Sequence, residues 1–98
     1  MEAQKILEAA KFYIKHLNSL YEPERADDKI LTNNPQVWLR HATWLANQIP
    51  ELVGANKINK AQRWLACVQG ILLATGQTTI EQAKLINMPK GVNYNRDI

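Results

Sequence analysis

The sequence predicts an all-α fold: a compact single-domain bundle of four main helices around a central apolar helix. Three observations predict it. Apolar residues recur at spacings of three and four through most of the chain. Proline, glycine, asparagine and threonine stand where helices start and stop. One stretch, residues 59–76 (NKAQRWLACVQGILLATG), is apolar on nearly every side of a helix; between Trp64 and Ala74 only Gln69 hydrogen-bonds strongly. Such a helix is expected to be buried centrally. It is too short to span a bilayer, which needs about 20 apolar residues.

The first helix is expected over residues 3–20. Ala3, Leu7, Ala10, Ile14, Leu17 and Tyr21 alternate spacings of four and three, and Ile6, Tyr13 and Leu20 widen that stripe. With fewer than three heptads it reads as a core-facing helix rather than a coiled-coil seam. Residues 22–33 form a polar connection long enough to hold a one- or two-turn helix, with Ile30 and Leu31 tucking back onto the core.

Asn34 then suits an N-cap and Pro35 the first helical position, where no intrahelical N–H is needed. This second helix is expected to stop at Pro50. Trp38, Ala42, Leu45 and Ile49 form its central stripe. At 100° per residue, Val37, His41, Trp44 and Gln48 cluster beside that stripe, which makes the apolar arc wider than one contact requires. This flank is the expected protein interface, whether with another protein or in a homodimer, because exposed apolar patches mark contacts.

Residues 50–56 form a turn in which Gly54 is free to take a positive φ. In the following helix Gly70 implies close approach of a neighbour, and Gly76 is placed to terminate it. Thr78 and Glu81 match a capping box for a short last helix over residues 79–87. Residues 1–88 are the helical domain; residues 89–98, after Pro89 and around Gly91, are expected to be a weakly ordered tail.

Composition bounds the function. The 98 residues make one domain with a net charge of +3. Residues 1–28 carry −2 and residues 29–98 carry +5, far short of the dense basic stripe of a dedicated nucleic-acid binder. Cys67 is the single cysteine, so no internal disulfide forms. Its place in the apolar run is that of a small hydrophobe. Early charge and no uninterrupted apolar run argue against a signal peptide, and the cytoplasm is the expected compartment.

The chemistry-bearing residues are sparse. His16 near a helix C-terminus compensates the helix dipole. Neither His16 nor His41 opens an H-x-x-x-H pattern, and no P-loop or G-x-G-x-x-G occurs. No catalytic residue, metal or cofactor is expected. Lys57, Lys60 and Arg63 recur at the N-terminal end of the third helix and suit contact with an anion or nucleic acid. Residues 72–86 have helix-turn-helix spacing, with Thr79, Gln82 and Lys84 as outward residues, which is poor equipment for phosphate contact.

Residues 63–82 resemble a pattern of small phage and prophage proteins: R-W-L, then Q-G-x-L, then G-x-x-T-x-x-E. Arg63, Trp64, Leu65, Gln69, Gly70, Leu72, Gly76 and Thr79 carry it. Gln82 stands where the pattern has an acid, with Glu81 one residue earlier. The resemblance implies a phage or prophage accessory factor acting on host or phage macromolecules in the host cytoplasm, and it brings no catalytic residue. The expected function is thus a small helical protein-interaction module, not an enzyme. The alternative is a nucleic-acid-associated regulatory factor using the basic helix start or the helix-turn-helix-like segment.

Overall fold

A computed structural model describes residues 1–88; the expected tail at residues 89–98 lies outside the described residues. Four helices follow one another: α1 (Ala3–Asn18), α2 (Pro35–Gly54), α3 (Ile58–Ala74) and α4 (Ile80–Asn87). Among the described residues there is no strand, so the all-α expectation holds.

The bundle does gather round a central apolar helix, but that helix is α2. It buries Leu39, Ala42, Thr43, Leu45, Ala46 and Ile49 and packs against both α1 and α3. On α3, Ala61, Leu65, Val68, Gln69 and Leu72 are buried, while Ala66, Cys67, Gly70, Leu73 and Ala74 are exposed. Small side chains count as apolar in a hydropathy reading yet carry little area to remove from water, so an alanine-, cysteine- and glycine-lined face tolerates solvent. Cys67 therefore lies on the surface rather than in the core.

Gly70 is a second correction. A Cβ placed there would meet nothing within 4 Å, so no neighbouring backbone requires a glycine. Gly70→Ala is expected to raise stability by about 0.5–1 kcal/mol, measured by urea unfolding, because alanine loses less backbone entropy in a helix interior.

α1 ends at Asn18 rather than Leu20. Its buried stripe is Ile6, Ala9, Ala10, Tyr13 and Leu17, rotated by one residue from the expected one; Leu7 and Ile14 are half-buried. α2 begins as expected, with the Asn34 Oδ1 accepting from the Gln36 N–H at 3.0 Å. It does not stop at Pro50, which lies inside the helix. Continuation past the proline is secured by the next turn, where Leu52 and Val53 pack against the core.

α2 and α3 close in the same way. The Asn56 and Lys57 N–H groups donate to the Val53 and Leu52 carbonyls, and the Gly76 and Gln77 N–H groups donate to those of Leu73 and Leu72. These are Schellman motifs, which put one residue in the left-handed region. That residue is Gly76 (φ 75°) in α3, as expected, but Asn56 (φ 61°) rather than Gly54 after α2. Asparagine is among the non-glycine residues that adopt this conformation. The second motif also sets the start of α4. The capping box forms one residue later than the sequence suggested, between Thr79 and Gln82, with Glu81 left in the first turn.

Candidate docking groove

Among the described residues, a concavity lies where α4 meets α1. α4 is fastened at its C-terminal end. Ala83 is buried, and the Gln69 amide nitrogen donates to the Tyr13 hydroxyl at 3.0 Å and to Asn87 Oδ1 at 2.8 Å. Asn87 donates back to Gln69 Oε1 at 3.1 Å. One buried glutamine thus ties α1, α3 and α4 together. Burial lifts the Tyr13 phenol above its ordinary pKa, and the Gln69 hydrogen bond opposes that rise.

Around this fastening lies an open groove of about 600 Å³. Phe12, His16, Leu17 and Leu20 line it from α1 and the turn that follows; Gln82, Leu85 and Ile86 line it from α4; Leu72, Gln77 and Thr78 contribute from the end of α3 and the turn after it. Phe12 meets Tyr13 edge to face and packs on the His16 ring, 4.3 Å between centroids. Phe12, Leu20 and Leu85 are 40%, 66% and 47% exposed. Among the described residues, no lysine, arginine, aspartate or glutamate lines the groove. Lys11 and Lys15 are exposed, and each precedes a lining residue of α1 by one position. The buried Tyr13 and Leu17 follow those residues, so the two lysines fall along the outer rim.

The flank expected as an interface is placed differently. Val37, His41, Trp44 and Gln48 are all half-buried. The connection at residues 22–34 forms no short helix but lies as a strap along the Val37–Trp44 part of this flank. The Glu24 N–H donates to the Arg40 carbonyl at 3.2 Å, the Ala26 N–H to His41 Nδ1 at 3.0 Å, and Trp38 Nε1 to the Thr32 carbonyl at 3.0 Å. The Arg25 guanidinium sits 5.6 Å from the centre of the Trp44 ring. Ile30 and Leu31 do not tuck inward; Leu31 is fully exposed. Trp44 packs on Trp64 with 5.6 Å between centroids, so part of the second apolar surface of α2 is covered by its own chain and part stays open to solvent.

The three basic side chains meet different surroundings. The Lys60 ammonium lies 5.2 Å from the centre of the Trp64 ring, whereas Arg63 borders a shallow recess with Asn59, Gln62 and Ala66. Lys57 stands at the N-cap of α3 and is exposed. Among the described residues, no group of three or more histidine, cysteine, aspartate or glutamate side chains could hold a metal ion, and no helix is long and apolar enough to cross a membrane.

The sequence pattern alone leaves Phe12 and Leu85 unmarked as surface features and assigns Leu20 to the core. One signal is present: Phe12, His16 and Leu20 recur every four residues through α1 and into the turn after it, beside the core stripe. Comparison with protein-family models, curated proteins and solved structures finds no match.

Proposed function

We propose that this chain is a small helical protein-interaction module that acts by occupancy rather than by catalysis, and that the α1/α4 groove receives an apolar helix face of a partner protein. The observation that carries this reading is the exposure of Phe12, Leu20 and Leu85 around a groove whose lining, among the described residues, holds no lysine, arginine or carboxylate. Apolar anchors seated in such a groove are the common mode of helix recognition, with side chains spaced i, i+3/i+4, i+7. Lys11 and Lys15 on the outer rim favour acidic residues beside that apolar stripe. The resemblance of residues 63–82 to small phage and prophage proteins extends the proposal to an accessory factor acting on a host or phage protein. Most of those positions also serve the fold itself. Leu65 and Leu72 are core, Gln69 bridges three helices, Gly76 adopts the left-handed turn and Thr79 caps α4.

The test is capture from source-cell lysate by the wild-type chain, by Phe12→Glu and by Leu85→Glu. Cys67→Ser on the opposite exposed face of α3 is the control. A protein held by wild type and by the control, but bound about thirtyfold or more weakly by both groove variants, is the expected result; that is the loss of one hot-spot anchor worth about 2 kcal/mol. Equal capture by all four chains overturns the groove. Concentration-dependent dimerisation lost in the same two variants would make a second copy the occupant.

A further inference from the structure

The strap at residues 22–34 is held to α2 through a titratable acceptor. His41 Nδ1 accepts the Ala26 N–H at 3.0 Å, which requires a neutral ring with its proton on Nε2. The ring is stacked nearly parallel on Trp44, with 16° between planes and 6.0 Å between centroids, and stands edge-on to Trp38 at the same separation. We infer that His41 is a proton-operated latch: protonation at Nδ1 removes the acceptor for Ala26, frees the strap and uncovers the Val37, Trp38 and Trp44 surface of α2.

The surroundings of the ring favour the neutral form. Glu24, Arg25 and Asp27 from the strap and Arg40 from α2 line one recess at this corner, Asp28 joins through its pair with Arg25, and Lys60 of α3 lies over Trp64, the ring that packs on Trp44. The carboxylates have other engagements. Glu24 faces Arg40 at 3.7 Å and Asp28 pairs with Arg25 at 2.8 Å, while Asp27 accepts the Lys29 N–H at 2.8 Å. The Arg25 guanidinium already lies over Trp44, the ring that would otherwise help hold an imidazolium. Burial, and then the Arg25 charge, push the His41 pKa below its ordinary value of 6.5.

The direction of the response follows from that displacement. With the strap freed, His41 takes up its proton near its ordinary 6.5; with the strap closed over it, only at lower pH. The closed strap is therefore fully favoured above 6.5 and loses ground as the pH falls from there through the closed-state value. One proton is bound, so the closed-to-open ratio falls by at most about tenfold per pH unit. Exposed His16, which packs on Phe12 far along the chain from this corner, takes no part.

The test is amide hydrogen exchange of the full chain between about pH 7.5 and about pH 5.0, corrected for the intrinsic pH dependence of exchange. The Ala26 and Glu24 amides are expected to lose protection below about pH 6.5 while core amides of Leu45 and Val68 keep theirs. Acrylamide quenching of tryptophan emission should rise over the same range. His16→Asn should leave the response intact. His41→Asn, whose amide carbonyl does not titrate, should abolish it. The latch is overturned by pH-independent protection at Ala26, by the same response in His41→Asn, by its loss in His16→Asn, or by parallel loss at the core amides, which would mark acid unfolding of the whole domain.

Discussion

Replacing Ile49 by alanine is expected to lower the unfolding free energy by about 2–5 kcal/mol. Ile49 has no exposed surface and is among the largest fully buried side chains. It lies on α2, the helix that meets both α1 and α3, so the void left by truncation opens between rigid elements that cannot both collapse into it. The penalty combines the lost transfer of the side chain from water with an unfilled cavity. Urea unfolding followed by circular dichroism measures it. Leu65→Ala should fall in the same range, because Leu65 is 1% exposed. Leu73→Ala on the open face of α3 should stay within about 0.5 kcal/mol of wild type. A loss below about 1 kcal/mol at Ile49 would show that α2 is not the centre of the core.

Gln69→Leu is expected to lower stability by about 1–3 kcal/mol and to loosen α4 selectively. Gln69 is buried, and its amide serves both Tyr13 and Asn87. A leucine fills much of the same volume but leaves the hydroxyl of a 3% exposed tyrosine without its partner, and an unsatisfied buried polar group carries the full cost of its desolvation. α4 buries only Ala83, so the Gln69–Asn87 pair is a large part of what holds it. Hydrogen exchange at the α4 amides should therefore accelerate more than at α1 or α2. Tyr13→Phe in the Gln69→Leu background removes the orphaned hydroxyl, and the double variant should be less destabilised than the two single losses added together. Strict additivity would mean that the two side chains do not depend on each other.

These two cases mark what could be read from the chain. Gln69 is visible as the single strong hydrogen-bonding side chain in an apolar run, but its partners lie 56 residues upstream and 18 downstream. Sequence spacing carries no record of contacts that only packing brings about. The α1/α4 groove is illegible for the same reason. Phe12, His16 and Leu20 recur every four residues through α1 and into the turn after it, yet whether that line faces solvent, core or another helix depends on where α4 is set down.

The sequence by itself determined the all-α class, the four helices, the Asn34–Pro35 start of α2, the Gly76 stop of α3 and the existence of α4. Each rests on local chemistry: periodic apolar residues, a side chain that accepts from a free N–H, or a backbone that takes a positive φ. Only the tertiary structure decided that α2 is central, that α2 runs through Pro50, and that the strap covers the flank holding His41 and Trp44. In each case a local preference met a longer-range gain. Leu52 and Val53 reach the core beyond Pro50, and the strap finds acceptors at His41 and Arg40. The exposed small-residue face of α3 shows the converse. Ala66, Cys67 and Gly70 read as core by type, but they present too little apolar area for burial to be worth a neighbour.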